Sequence, residues 1–452
     1  LERLAIKLGL DFVRVEPRIT RNDRDLTLDV EFALVRGPRV FVERIDIEGN
    51  ATTLDRVVRQ QFKIVEGDPF NPREIRESAE RVRALGYFSG ADVQAREGSS
   101  PDQVIVDVDV EETSTGSLTF GGTYSTTTGP GAIIKYSESN FLGRGQRLDL
   151  GVTTGVDNRE YSLSFYEPAF LGRDLSFGFV ASYVETDNQN AVYDTNLGRF
   201  RPSFEFPVSD NGRMQVRYTL DMSEMVGGGT AAGALISSEI ARGVEFSNSV
   251  GYTYSFDTRR TGLNPNAGVL LEFGQDFGGI GSDNQYFRTT AKAIAQTKVL
   301  SEEVTLRATL EGGALNYATG SGRATDRFFM GPSVMRGFEP SGIGPREVNG
   351  NTNDTLGGNM FAVARFEAEF PLGLPEEYGI KGGVFYDIGS LWSLDQSNAN
   401  VINEDFAARS VIGASIFWKT PIGPLRFNFT KALSKETGDR EQTFDLSIST
   451  EF

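Results

Sequence analysis

The chain has 452 residues, a formal net charge of −17, and neither Cys nor His. The absence of Cys excludes disulfides and thiol chemistry, and the absence of His removes the usual general base and the commonest metal ligand; the acidic balance argues against nucleic acid as a partner. No apolar run of about 18 residues exists, so no transmembrane helix is expected; a membrane barrel stays open, because its signal is alternation.

Leu1, Leu4, Ala5 and Leu8 share one helical face, with Gly9 placed to cap it. No signal peptide precedes Leu1, so the sequence is expected to be part of a longer, processed chain. Phe12–Val15 reads as a strand, Arg21–Asp25 as a polar turn, and Leu26, Leu28, Val30 and Phe32 alternate as a second strand. The same order then recurs. Phe41, Ile45 and Ile47 form a strand, and Leu54, Val57, Val58 and Phe62 an amphipathic helix. Asn71, Pro72 and Glu74 supply an N-cap, a first-turn proline and a capping-box acid for a helix through Ile75, Ala79, Val82 and Leu85. After Gly86 comes a loop, and then Val104, Val106, Val108 and Val110 alternate with polar positions. This predicts a β-α-α-β-β module with a repeat of roughly 75 residues: residues 1–37 as the end of one copy and 38–112 as a complete one. Small modules with strand edges commonly bind other chains by strand addition.

From residue 113 onward helical periodicity disappears and about sixteen alternating segments follow, most near ten residues long. In Thr443–Phe452, Phe444, Leu446, Ile448 and Phe452 share one face; Leu118, Phe120 and Tyr124 do so in the first segment, Gly116–Tyr124. Connections alternate in length. Asn140–Gln146, Glu167–Arg173, Pro207–Gly212, Pro371–Tyr378 and Thr420–Gly423 are turn-like, whereas Val226–Gly243, Asn316–Gly358 and Gly389–Ala407 are long. A soluble β-sandwich also alternates, but this asymmetry fits a transmembrane antiparallel barrel over 113–452 with short periplasmic turns and long external loops. An even strand count puts both barrel ends, and the amino-terminal modules, on the periplasmic side.

The longest of these connections, 316–358, contains Phe328–Arg346, read as FFMGPSVMRGFEPSGIGPR. Its Gly and Pro content with Phe328, Phe329, Met335, Phe338 and Ile343 suggests a loop packed against something, and so folded inward. At its tip, Arg336-Gly337-Phe338 allows a tight turn with a guanidinium free to reach a carboxylate. Parity puts Arg365, Glu367 and Glu369 of one following strand, and Phe385 and Asp387 of the next, in the lumen. Arg336 is thus expected to pair with Asp387 or Glu369, with Phe338 or Phe385 shielding the contact. Two carboxylates with an Arg could also suggest glycoside hydrolysis, but charged lumens are ordinary in barrels, so no catalytic, cofactor or metal site is assigned.

The stretches MRGFEPSGIGPRE, LGGN, AEFP and VFYDIGSLW resemble the BamA family of outer-membrane β-barrel assembly proteins, over essentially the whole chain. The resemblance implies POTRA repeats followed by a sixteen-stranded barrel, with more repeats in the family than are present here. In that family the loop's Arg-Gly-Phe enters the barrel and its Arg contacts acid and aromatic side chains, which here would be Arg336, Gly337, Phe338, Glu369, Phe385 and Asp387. It further implies an insertase for unfolded barrel clients, acting in the bacterial outer membrane with its POTRA repeats in the periplasm, accessory lipoproteins and lipid. No phosphate loop exists, since GGGT at 227–230 lacks its Lys, and the expectation is a protein that is not an enzyme and lowers a folding barrier. The seam between first and last strands, comprising Gly116, Phe120, Gly121, Gly122, Phe444, Leu446, Ile448 and Phe452, would open sideways, since Gly weakens strand pairing. Alternatives are a TamA-like assembly factor, a secretion pore or passive porin, and a structural membrane anchor.

Overall fold

The computed structural model describes residues 13–22, 27–36, 40–125, 129–187, 191–227, 232–259, 267–281, 284–300, 303–349, 352–420 and 423–451. The helix expected at Leu1–Leu8 and the terminal Phe452 lie outside the described residues. Two compact units are present: Leu1–Gly116 with Glu138–Gln146, and Ser117–Ser137 with Arg147–Phe452.

In the first unit, β1 (Val13–Asn22) and β2 (Thr27–Arg36) form an antiparallel pair. Arg21 and Asn22, expected in the turn, belong to β1, because the ladder continues until Asn22 faces Thr27. The next elements are β3 (Phe41–Glu48), α1 (Asp55–Arg59), α2 (Pro72–Ala84), β4 (Phe88–Glu97) and β5 (Gln103–Glu112). The Asn71 side chain accepts from the Arg73 amide at 3.0 Å and so caps α2. Ile75, Ala79 and Val82 on the inner face of α2 are buried, as are Val106 and Val108 of β5. The sheet order is β3-β5-β4, with β3 parallel and β4 antiparallel to β5. β4 occupies the stretch read from sequence as a loop, since an edge strand carries few apolar positions.

Sixteen antiparallel strands close into a barrel. They begin with β6 (Gly116–Ser125), β7 (Gly129–Phe141), β8 (Gln146–Gly155), β9 (Asn158–Glu167), β10 (Ser176–Thr186) and β11 (Tyr193–Pro207). Next is β12 (Gly212–Gly227), followed by the helix α3 (Ala234–Ala241) in its loop. β13 (Glu245–Asp257), β14 (Gly268–Gly278), β15 (Gln285–Val299) and β16 (Val304–Thr319) continue the wall. The long loop carries β17 (Arg346–Asn349) and β18 (Thr352–Thr355). The barrel resumes with β19 (Met360–Pro371) and β20 (Ile380–Trp392), after which β21 (Val401–Ile402) lies in the next loop and pairs with β17. β22 (Arg409–Thr420), β23 (Gly423–Ser434) and β24 (Phe444–Glu451) complete the circuit.

Period-two alternation sorts the side chains of this wall. On β20, Val384 is 50% and Tyr386 36% exposed on the outer face, while Phe385 and Asp387 are 3% and 0% exposed inside. Outer rings meet across strands, Phe165 stacked on Phe179 and Phe179 tilted against Phe200, as suits an apolar surround. No helix among the described residues is long and apolar enough to cross a membrane.

Candidate functional site

The long loop packs its apolar side chains into the lumen. Met335 and Phe338 are wholly buried and join Met330, Ile343, Leu391 and Val411 in one cluster. The tip turns at Gly337, whose φ of +86° suits glycine. A Cβ there would also lie 2.7 Å from Val411 Cγ1, so the missing side chain lets the backbone seat against β22.

This turn aims Arg336 at the wall. Its Nε and Nη2 donate to the two Asp387 oxygens at 2.8 and 2.6 Å, and its backbone amide donates to the same carboxylate at 3.2 Å. Nη1 donates to Glu367 at 2.5 Å, and the guanidinium carbon sits 3.6 Å from the Phe385 ring centroid. The site is therefore bidentate and capped by an aromatic face, a geometry suited to Arg and not to Lys. Asp387 and Phe385 meet Arg336 as parity suggested, and Gly337 and Phe338 form the turn and its buried plug.

Glu369 does not join them. It accepts from Lys381 at 2.7 Å, with side-chain exposures of 22% and 52%. The second carboxylate on Arg336 is Glu367. In the register, Glu367 lies opposite Phe385 and Glu369 opposite Gly383, so Glu369 is one inward step farther along β19. Two residues of strand amount to roughly 6.6 Å, beyond hydrogen-bond reach of a guanidinium held over Phe385. Sequence reasoning also missed that Glu367 is shared. Arg426 of β23 reaches it at 2.7 Å and Arg307 of β16 at 3.4 Å. One carboxylate thereby joins three guanidiniums from the loop and from opposite ends of the β16–β23 wall. Around them is a cavity of about 710 Å³, into which Lys292, Arg307, Arg426 and Asp445 also project.

The loop is fixed at its outer end as well. Glu239 of α3 and Arg327 of the loop form a pair at 2.8 Å, each side chain 1% exposed. Glu347 accepts from the Ala234 and Leu235 amides at the start of α3, both at 3.0 Å, and Asp354 accepts from Gly233 at 2.6 Å. Acids at a helix start satisfy its free amides and suit its dipole.

At the seam, β24 pairs with β6 from Ser447 opposite Ser125 to Glu451 opposite Gly121, with Gly122 opposite Thr450. Gly116 and Phe120 lie beyond the described part of this ladder; Phe120 faces outward, 53% exposed. The Phe444 ring lies tilted against Phe429 of β23, centroids 5.4 Å apart. Leu446 and Ile448 pair with Phe427 and Leu425 of β23, and Ile448 also with Tyr124 of β6.

A family model for the Omp85 superfamily domain matches residues 140–452, and a POTRA model, described as a surface antigen variable number repeat, matches residues 40–113. "Outer membrane protein assembly factor BamA" of Neorickettsia risticii is 28% identical over 446 residues, which cover 98% of this chain and 59% of that protein. Its namesake from Nitratidesulfovibrio vulgaris is 26% identical over 441 residues, covering 96% and 54%. The chain thus spans less than two thirds of the length of these relatives. Among solved structures, BamA from Haemophilus ducreyi lacking POTRA domains 1–3 has a TM-score of 0.80 at 21% identity, covering 97% of this chain and 90% of that one. CdiB from Acinetobacter baumannii has a TM-score of 0.60 at 13% identity, covering 99% and 80%. At these identities the structural likeness speaks for the fold.

Proposed function

The chain belongs to the Omp85 superfamily, and from that premise we propose that it assembles β-barrel proteins into the bacterial outer membrane without covalent catalysis. Its barrel lies in that membrane and its POTRA domain in the periplasm. The clients are unfolded outer-membrane barrel chains, received by the POTRA strand edges and passed to the seam between β24 and β6. Accessory lipoproteins and the surrounding lipid are its further partners.

One contrast carries this reading. Glu367 and Arg336 bond β16, β19, β20, β23 and the long loop into one block, whereas the described β24–β6 ladder contains Gly121 and Gly122. Glycine weakens strand pairing, so the joint that closes the barrel, which lacks that block's buried ion pairs, is where we place the opening. Parting it exposes two strand edges on which a client strand can pair, and the client's own folding supplies the driving force. The loop packed in the lumen and the buried arginine anchor disfavour a passive pore.

The reading is tested by client folding in liposomes. The reconstituted protein should speed the folding of a urea-unfolded barrel client at least tenfold over empty liposomes. Equal rates would remove the reading. A stable open conductance in a planar bilayer, with no effect on client folding, would favour a porin.

A further inference from the structure

The residues after Arg336 do more than fill the lumen. Gly337 O accepts from the Gln442 amide at 3.0 Å, the Glu339 amide donates to Arg440 O at 3.0 Å, and the Arg440 amide donates to Gly342 O at 2.9 Å. Phe338 and Glu441 form an antiparallel bridge between these bonds. The loop tip is thus paired, backbone to backbone, with the three residues that lead into β24. Gly342 makes the approach possible: a Cβ there would stand 2.8 Å from Arg440 O and 2.7 Å from Glu339 O.

The partner segment is itself held in place. Asp439 accepts from Arg409 at 3.0 and 3.3 Å with both side chains wholly buried, and it also accepts from the Glu436 amide at 2.7 Å. Thr430 of β23 bonds the next stretch, its amide to Thr443 O at 2.9 Å and its hydroxyl to Gln442 O at 2.5 Å. The last strand therefore enters the barrel between β23 on one side and the loop tip on the other.

We propose that Gly337–Gly342 is a positioning element for β24: the Arg336 anchor reaches the closing strand through this short ladder. What fixes Arg336 to Asp387 and Glu367 then also fixes where β24 meets β6. The functional meaning of this link rests on the seam reading above, but the link is a property of the resting barrel. If β23 alone held β24, the loop ladder would be incidental, because the Thr430 bonds would suffice. The two arrangements differ in what a distant change does. The hydrogen bonds of Asp387 run to Arg336 and not to Gln442 or β24, so its loss reaches the strand through Arg336. From there it passes either along the loop ladder or through Glu367, Arg426 and Asn428 to Asp445. Only the first route makes Asp387 changes non-additive with changes at Gly342.

The test is amide exchange on the whole chain in lipid nanodiscs, with heat-modifiable gel mobility as the check of barrel folding. Gly342→Ala, and the bulkier Gly342→Val, should each raise exchange across Phe444–Glu451 by tenfold or more, with Val the larger. Asp387→Asn should do the same from β20, and combining it with Gly342→Val should add little, since both act through one ladder. The amides of β13 and β14 should keep their wild-type rates in all variants. The proposal is overturned if Gly342→Val speeds exchange only at Arg440–Gln442 while Phe444–Glu451 is unchanged. It is equally overturned if Asp387→Asn leaves Phe444–Glu451 alone, or if the two changes add in full. Should Gly342→Val fail to fold, Gly342→Ala and Asp387→Asn decide between the two arrangements by the same exchange rates. Client folding measured on the same variants separates the two readings: faster exchange with unchanged client folding upholds the positioning and sinks the seam.

Discussion

Replacing Asp387 by Asn isolates the anchor with little change of shape. Wild-type Asp387 receives two side-chain bonds from Arg336, at 2.8 and 2.6 Å, inside a site where Asp387 is 0% exposed. The amide keeps one acceptor oxygen but turns an N–H toward the guanidinium. One charge-assisted bond is lost and the other weakened, and each is worth about 1.5–3 kcal/mol. Breaking a buried pair outright costs about 3–5 kcal/mol, but Glu367 still neutralises Arg336, so a loss of about 3 kcal/mol is expected. That corresponds to an undocked loop on the order of 100 times more populated. Exchange at the Arg336 amide, which donates to Asp387, and the rate of protease nicking within Gly331–Gly342 both read this population. Glu367→Gln should undock the loop comparably, leaving Arg336, Arg307 and Arg426 without their common acid. Glu369→Gln should stay within about 0.5 kcal/mol, as its Lys381 pair is part-exposed and remote. The reasoning fails if Asp387→Asn raises the undocked population less than threefold, or if Glu369→Gln matches Glu367→Gln.

Charge reversal tests the same anchor in function: Arg336→Glu should abolish most client assembly, and adding Asp387→Arg should restore part of it, scored by liposome folding kinetics. Deleting residues 1–112 should leave a barrel with normal heat-modifiable mobility but strip most client delivery; full delivery would remove the POTRA domain from the mechanism. Glu112 gives a pH prediction. Burial pushes its carboxyl up, but the Thr53 amide at 2.6 Å and the Thr52 amide at 3.0 Å outweigh that and hold it below the usual carboxylate range. A lowered folded-state value means its stabilisation is complete above the unfolded-state value and is lost as pH falls through the folded one. Glu112→Gln should therefore flatten the acid-side fall of the amino-terminal unit's stability below about pH 5, measured by urea unfolding across pH.

How much of this was readable from sequence follows from what each signal encodes. Alternation over β6 to β24 specified two-faced strands because burial on such a wall must repeat every second residue, and the alternating short and long connections pointed from strands to a barrel. The same parity made Asp387 and Phe385 legible as inward groups. It could not choose Glu367 over Glu369, since both face the lumen and only the register with β20 and the depth of the loop separate them. Arg307 and Arg426 were unreadable for a related reason: Arg307 meets the acid only through the β16–β19 register, and Arg426 lies three strands farther around the wall. The helix α3, ALISSEIA, is short and sits in a glycine-rich loop. Its amides and its Glu239 are satisfied by Glu347, Asp354 and Arg327, which are remote in sequence. β4 was hidden because FSGADVQARE shows little alternation; its Phe88 and Ala91 are buried, three residues apart. Local pattern reports faces, and remote partners decide heights and caps.

Lateral opening is tested most directly by bridging the seam. Thr123 and Ser449 are register partners across β6 and β24, and the chain has no Cys of its own to interfere. Partners in an antiparallel ladder have Cα atoms about 4.5–5.5 Å apart, within reach of a disulfide. Thr123→Cys with Ser449→Cys, once oxidised, should stop client insertion into liposomes while the barrel keeps its heat resistance, and reductant should restore the rate. A bridge between Leu150→Cys and Leu163→Cys, partners on β8 and β9, should leave insertion unchanged. Normal insertion by the oxidised seam variant would contradict lateral opening.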